Sequence, residues 1–130
     1  MEGIETEETY KLLSEHGRDG TGQSPIVLDW QAMVEAILAD RRHGLGASII
    51  AAKFHNALVR TITGVANRIG QPRVVLSGGC FQNRFLTEQT VARLQLKGFH
   101  PYWHQRVPTN DGGIALGQVY AARNGLELRK

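Results

Sequence analysis

Residues 74–84, VVLSGGCFQNR, decide the fold. The stretch begins with a short apolar run, turns through Gly78 and Gly79, and ends in polar residues where a helix should begin. β-branched residues favour strands, and a buried parallel strand is almost continuously apolar. We therefore predict a buried strand over residues 73–77, a glycine turn, and a helix over residues 83–97 with Phe85, Leu86, Val91 and Leu94 facing inward.

A second glycine-rich stretch, VPTNDGG at residues 107–113, lies between a predicted strand at 99–103 and a predicted helix at 112–122. Upstream, apolar residues at three- and four-residue spacing predict helices over 30–43 and 47–69, and residues 26–28 predict a short strand that could join the same thin sheet. Asp29 and Asp111 are the expected caps of the helices that follow them. This alternation of helices and strands is typical of an α/β fold, with a short parallel sheet flanked by helices.

Composition excludes several classes of protein. The chain has 130 residues, enough for about one domain, and 42% of them are hydrophobic. It contains no run near the roughly 18 apolar residues that span a membrane. The net charge of +3 is scattered, so we expect neither a nucleic-acid nor a membrane partner. A lone cysteine, Cys80, excludes an internal disulfide and fits a reducing compartment, so a cytoplasmic location is expected.

The chain has a polar beginning and few strands. Residues 1–25 are rich in glutamate and glycine, which predicts a mobile lead-in, and residues 26–130 form the predicted lobe. Two or three strands make a thin sheet for this fold class. We therefore expect the chain to be the C-terminal part of a larger protein.

The first glycine turn is a candidate ligand site. Ser77, Gly78 and Gly79 follow a strand, and Asn83 stands at the start of the next predicted helix. Glycine lets the backbone approach a ligand closely, and a helix N-terminus favours phosphate. A tight connection without a ligand explains the same residues. The dinucleotide fingerprint and the P-loop pattern are both absent from the sequence.

Three further side chains each have two interpretations. Asp111 is either a helix cap or a carboxylate ligand for a metal near phosphates. Cys80 is either a reactive thiol or a small buried apolar residue, and we expect the second. His55 is either a functional residue or a half-buried helix residue with a satisfied ring nitrogen.

Three blocks together resemble a known family: residues 54–56 (FHN), 76–84 (LSGGCFQNR) and 107–118 (VPTNDGGIALGQ). They are similar, in order and spacing, to the C-terminal part of the HypF-type carbamoyltransferases of [NiFe]-hydrogenase maturation, in the Kae1-like transfer domain. The resemblance covers residues 29–122. It implies part of an actin/Hsp70/sugar-kinase-like (ribonuclease H-like) lobe.

The resemblance also implies roles for individual residues. Ser77, Gly78, Gly79 and Asn83 would line a nucleotide, and Asp111 would help to hold a divalent metal near its phosphates. Further cleft residues would be His55, Asn110 and Gly112. The family uses ATP and carbamoyl phosphate to make carbamoyl-adenylate. It then carbamoylates the C-terminal cysteine of a HypE-type partner, and that group becomes the cyanide ligands of the hydrogenase iron.

The sequence lacks several domains and one metal-binding motif that the family pattern includes. An acylphosphatase-like domain, zinc-binding modules, an adenylate-forming domain and a metal-binding histidine pair are not found in this sequence. We therefore expect zinc only in modules outside this chain, further metal ligands from the rest of the same polypeptide, and no activity for the chain alone. The alternative is a non-catalytic nucleotide-binding or protein-interaction module, for which self-association is expected. A tRNA threonylcarbamoyl-transfer relative fits the wording of the motifs less well.

Overall fold

The computed structural model describes residues 6–16 and 26–125, with the side chains of residues 13–16 left out. The elements in chain order are β1 (Leu13–His16), β2 (Ile26–Asp29), α1 (Gln31–Arg42), α2 (Ala47–Ile69), β3 (Arg73–Leu76), a first 3₁₀ turn (Gly79–Gln82), α3 (Arg84–Leu96), β4 (His100–Trp103), a second 3₁₀ turn (Asp111–Gly113) and α4 (Ile114–Arg123). The chain divides into two compact units, Met1–Gly64 and Val65–Lys130. Within the described part, no helix is long and apolar enough to cross a membrane.

The first unit contains an antiparallel strand pair and a small apolar core. β1 pairs with β2, so that Leu13 lies opposite Asp29 and His16 opposite Ile26. The core contains Tyr10, Met33 and Ala57, all almost fully buried. The predicted lead-in, residues 1–25, thus contributes a core residue and a strand, while residues 1–5 and 17–25 lie outside the described residues.

A polar cluster ties the segment before β1 to both helices. The Tyr10 hydroxyl donates to Asp40 Oδ2 at 2.7 Å, and Lys53 Nζ donates to the same oxygen at 2.6 Å. The Lys53 ammonium also lies 4.8 Å from the centroid of the Tyr10 ring, within cation–π range. The cluster therefore joins residue 10 to α1 through Asp40 and to α2 through Lys53.

The side chain of Asn56 binds the backbone of the same segment. Its side-chain amide donates to the Thr6 carbonyl at 2.6 Å and to the Glu8 carbonyl at 2.9 Å. One amide group thus holds two carbonyls of a segment that has no regular structure of its own. Asn56 follows His55 on α2 and explains structurally the last letter of the FHN block.

The polar cluster makes stability depend on pH at the alkaline end. Burial, with help from the hydrogen bond to Asp40, raises the pKa of Tyr10 to about 12. The hydrogen bond to Asp40 raises the pKa of Lys53, and the bonds from Lys53 and Tyr10 lower the pKa of Asp40. A group whose pKa is raised by folding contributes its full stabilisation of the folded state at pH values below its pKa in the unfolded chain. That contribution is lost as the pH rises through its pKa in the folded state.

We predict that Tyr10→Phe reduces the alkaline loss of stability. At neutral pH the free energy of unfolding of the variant should be lower by about 1.5–3 kcal/mol, the usual range for a hydrogen bond to a charged group. Between pH 10 and 12, its free energy of unfolding in urea should fall less steeply than that of the wild type, because one of the two raised pKa values is gone. Tyr120→Phe is the control, since Tyr120 is 65% exposed. Equal alkaline slopes for Tyr10→Phe and the wild type would contradict the assignment.

The second unit is built on the parallel pair β3 and β4. Their register places Arg73 opposite His100 and Leu76 opposite Trp103. α3 packs against β4 and buries Leu86, Thr90 and Leu94, while Leu76 is buried from β3. Since parallel strands end at the same edge, the loops that follow Leu76 and Trp103 begin side by side.

Four sequence expectations are wrong in detail. β2 does not join the parallel sheet as a third strand, because it pairs with β1. β3 is not buried on both faces, since Val75 is 71% exposed. On α3 Phe85 is exposed, although Leu86 and Leu94 are buried as predicted. On α2, the apolar spacing over residues 47–69 predicts that Ile69 faces inward, but Ile69 is exposed and the most buried positions are Ala57 and Thr63. The periodicity of a sequence shows which residues share a face, but it does not show which other segment pairs with that face or covers it.

Candidate functional site

Two polar loops meet at the carboxyl ends of β3 and β4. The first contains Ser77, Gly78 and Gly79, and the second contains residues 107–113. The Gly78 N–H donates to the Thr109 carbonyl at 2.9 Å, which joins the loops directly. The structure thus brings together the two glycine-rich stretches that the sequence singled out. The predicted residues Ser77, Gly78, Gly79, Asn110, Asp111 and Gly112 all lie on these two loops.

Gly78 has a backbone conformation that other residues rarely adopt. Its φ of 105° and ψ of 159° lie in a region used almost exclusively by glycine. A Cβ at this position would meet no atom within 4 Å, so the constraint is conformational and not a matter of space. The turn after β3 therefore depends on glycine at this position.

Asn83 builds the start of α3. A 3₁₀ turn follows the glycines, so α3 begins at Arg84, one residue after the predicted start. Asn83 is its N-cap, and its Oδ1 accepts from Leu86 N–H at 3.1 Å. Asn83 makes further interactions as well. The side-chain oxygen of Asn83 therefore caps α3. This capping role explains why an asparagine is found at this position even without a bound ligand.

The second loop is tightly packed around its own backbone. Asn110, and not Asp111 as predicted, caps the second 3₁₀ turn, with its Oδ1 accepting from Gly112 N–H at 3.0 Å. A Cβ on Gly113 would lie 2.8 Å from the Pro108 carbonyl oxygen, a clash with backbone. The helix that follows, α4, has no side-chain cap. The prediction that Asp111 caps the last helix is wrong, because a 3₁₀ turn precedes α4 and Asn110 caps that turn.

Asp111 is exposed on this loop, next to Gly112. The described residues contain no group of three or more His, Cys, Asp or Glu that could hold a metal ion. Divalent metals such as Mg²⁺ and Ca²⁺ take six or more oxygen ligands. Asp111 can therefore supply one carboxylate, and the donor set of the described residues does not fit a complete metal site.

Ser77 has a neighbour that sequence analysis missed. His104 directly follows β4, and its Nε2 lies 3.4 Å from Ser77 Oγ, at the long end for a hydrogen bond. Both side chains are exposed. Thr109 has a buried hydroxyl with no hydrogen-bond partner among the described residues. The position of His104 in the sequence could have indicated this contact. His104 directly follows the second strand, as Ser77 directly follows the first.

His55 lies on α2 in the first unit, whereas the two loops lie in the second. Its Nδ1 is 2.7 Å from the Ala51 carbonyl oxygen, and a carbonyl can only accept, so Nδ1 carries the hydrogen. His55 is half-buried and makes further interactions. The satisfied ring nitrogen agrees with the structural interpretation, and a place for His55 in the cleft stays a prediction.

Cys80 follows the glycine pair and is exposed. The expectation that it is a small buried residue is wrong. The cause is the 3₁₀ turn at Gly79–Gln82, which contributes no buried residue.

Comparison with known proteins identifies the family. The family model of the carbamoyltransferase Kae1-like domain, second subdomain, matches residues 2–118. The chain belongs to the HypF carbamoyltransferase family. A relative from Synechocystis, named carbamoyltransferase HypF, is 38% identical over 116 residues, which are 89% of this chain and 14% of the relative. HypF2 of Cupriavidus necator is 36% identical over 120 residues, covering 88% of this chain and 14% of its own length.

A solved structure supports the same assignment. The crystal structure of full-length HypF in its phosphate- and nucleotide-bound form matches 95% of this chain with a TM-score of 0.83 and 39% identity. The match covers 16% of that protein, so the chain spans a small part of the length of its relatives. The resemblance stated from the three sequence blocks is confirmed, and so is the α/β lobe of a Kae1-like domain.

We predict opposite effects for alanine at two glycines of the second unit. Gly78→Ala should lower the free energy of unfolding by about 1–3 kcal/mol, because alanine resists this backbone conformation. Gly117→Ala, inside α4, should raise it by about 0.5–1 kcal/mol, since alanine is the better helix former. Both positions have open space for a Cβ, so the pair separates conformation from crowding.

Urea unfolding of the two variants, read beside the wild type, makes the comparison. Equal effects would show that the turn at Gly78 tolerates alanine and that the loop is not fixed as described.

Proposed function

We propose that this chain forms one wall of the nucleotide site of a carbamoyltransferase that modifies a HypE-type partner. Membership of the HypF family supports the reaction class, because the relatives bear the name carbamoyltransferase. At the level of residues, one observation carries the proposal. The hydrogen bond from Gly78 N–H to the Thr109 carbonyl brings both predicted ligand loops to one edge of the sheet. The nucleotide in the related crystal structure supports a nucleotide as the ligand.

The proposed substrates are ATP and carbamoyl phosphate. Hydrolysis of carbamoyl phosphate releases phosphate and leaves carbamate, whose oxygen attacks the α-phosphate of ATP, so that pyrophosphate leaves and carbamoyl-adenylate forms. The thiolate of the partner's C-terminal cysteine then attacks the carbonyl carbon of that adenylate. A sulfur–carbon bond forms, the bond between that carbon and the phosphate oxygen breaks, and AMP leaves with the electron pair. The thiol proton is lost before the attack, so the balance needs no oxidant or reductant. The carbamoyl group on the cysteine would become the cyanide ligand of a hydrogenase.

This chain would contribute binding and orientation to that transfer. The Ser77 hydroxyl and the backbone of Gly78 and Gly79 are proposed to face the nucleotide. Asn83 would act beside them, with its Oδ1 held by the Leu86 N–H. Holding the adenylate in one orientation lowers the activation free energy of the transfer, because the entropy of alignment is lost on binding and not in the reaction step.

Asp111 is proposed to contribute one carboxylate to a divalent-metal site near the phosphates, with Asn110 and Gly112 shaping its loop. A bound divalent metal would neutralise phosphate charge. The described donor set is too small for a complete site, so further ligands would come from elsewhere in the same polypeptide. Zinc is proposed only for modules outside this chain.

A second candidate function is a non-catalytic module that binds protein. The described part of the second unit exposes large apolar side chains on both strands and on α4, among them Val75 (71%), Tyr102 (54%) and Val119 (65%). Large exposed apolar patches mark association surfaces. In a larger enzyme the same surface would meet the rest of the polypeptide, whereas the chain alone would self-associate.

A hybrid enzyme tests the proposed function. In the full-length Synechocystis relative, the matching 116 residues are replaced by this chain. The assay supplies ATP, carbamoyl phosphate and the HypE-type acceptor, and measures the mass gained by the acceptor's C-terminal cysteine. We expect the hybrid to carbamoylate the acceptor. We expect the chain alone to give no product.

In the hybrid, Asp111→Asn should lower the rate of transfer at least about tenfold, since an amide is a weaker ligand and removes a charge. It should also lower the metal retained after gel filtration. Glu35→Gln is the control, because Glu35 is an exposed carboxylate on α1. A fold-competent hybrid that binds no nucleotide and transfers no carbamoyl group would favour the protein-binding module. Unchanged transfer and metal content in Asp111→Asn would remove Asp111 from the site.

A further inference from the structure

Ser77 and His104 continue the register of the parallel strands beyond their last backbone pair. Leu76 lies opposite Trp103, and Ser77 and His104 are the next residues on each strand. Their side chains meet, with 3.4 Å between Ser77 Oγ and His104 Nε2. The register therefore places the two residues side by side at the edge where the two ligand loops begin.

The hydrogen-bonding capacity of this edge is limited. The Gly78 N–H is occupied by the Thr109 carbonyl, so it is not available to a ligand. A phosphate or ribose ring oxygen can only accept hydrogen bonds, so a nucleotide needs donors here. The Ser77 hydroxyl has one proton, and its direction decides whether the group can serve as a donor.

We propose that His104 is a positioning residue of the nucleotide site, whose Nε2–H donates to Ser77 Oγ and leaves the Ser77 proton to an acceptor oxygen of the nucleotide. With a donor already directed at the oxygen, the hydroxyl proton points away from the imidazole. A serine without this neighbour would spend part of its time with the proton turned elsewhere. His104 acts through Ser77 and does not itself touch the nucleotide. This inference rests on the proposed function.

The test measures ATP affinity in the hybrid enzyme, which contains the whole chain. His104→Phe keeps a ring and removes the nitrogen donor, whereas His104→Gln keeps an N–H near the position of Nε2. We expect Ser77→Ala and His104→Phe each to raise the Kd for ATP about two- to tenfold, the usual effect of one hydrogen bond. His104→Gln should remain within about twofold of the unmodified hybrid.

The double variant shows whether His104 acts through Ser77. If it does, Ser77→Ala with His104→Phe should bind ATP no more weakly than Ser77→Ala alone. The melting temperature without ATP should be the same in all variants, because both side chains are exposed. A role in folding alone would instead lower the melting temperature and leave the Kd unchanged.

Other outcomes overturn the inference in separable ways. If His104→Phe binds ATP as tightly as the unmodified hybrid, His104 has no positioning role, and the proposed function stands as long as Gly78→Ala weakens binding. If the losses of the two single variants multiply in the double variant, His104 contacts the ligand directly and the positioning role is wrong. If the hybrid binds no ATP, both the inference and the proposed function are wrong.

Discussion

The hydrogen bond between Gly78 N–H and the Thr109 carbonyl is the constraint on which the site depends. Parallel pairing brings the ends of β3 and β4 to one edge, but each strand is followed by an irregular loop. The bond fixes one loop against the other at 2.9 Å. The positive φ of Gly78 then lets the chain turn directly after this bond. Ser77 precedes the bonded residue, and Asp111 lies two residues after Thr109.

Local signals in the sequence predicted the elements well. α2 was predicted over residues 47–69 and occupies Ala47–Ile69, and the other long helices deviate by one or two residues at their ends. Asp29 lies one residue before the N-cap of α1, which is Trp30, so the predicted cap position is wrong by one residue; Asp29 Oδ1 still accepts from Gln31 N–H at 2.9 Å. Periodicity and capping depend on neighbours within a few residues, so a single sequence contains them.

Interactions between distant residues were not predictable in the same way. Asn56 bonds to carbonyls 48 and 50 residues earlier, and Ser77 meets a histidine 27 residues later. β2 pairs with β1, although its apolar sequence fits a parallel sheet equally well. A sequence pattern states which face is apolar but not which segment covers it. The motif blocks at residues 76–84 and 107–118 include the two loops that the structure joins through Gly78 and Thr109, whereas their role in ligand binding stays a prediction.

The loops use most of their polar groups to hold their own shape. The side-chain oxygens of Asn83 and Asn110 each accept a hydrogen bond from a backbone N–H group. The Gly78 N–H donates to the Thr109 carbonyl. Polar residues beside glycines in a sequence can therefore indicate hydrogen bonds that hold the loop together as well as contacts with a ligand. Beside these groups lie the Ser77 hydroxyl and the Asp111 carboxylate, and both side chains are exposed. One hydroxyl and one carboxylate can orient a nucleotide against a rigid backbone, but they cannot enclose it. Under the proposed function, this chain would therefore supply one wall of a shared cleft, and the opposite groups would come from another surface.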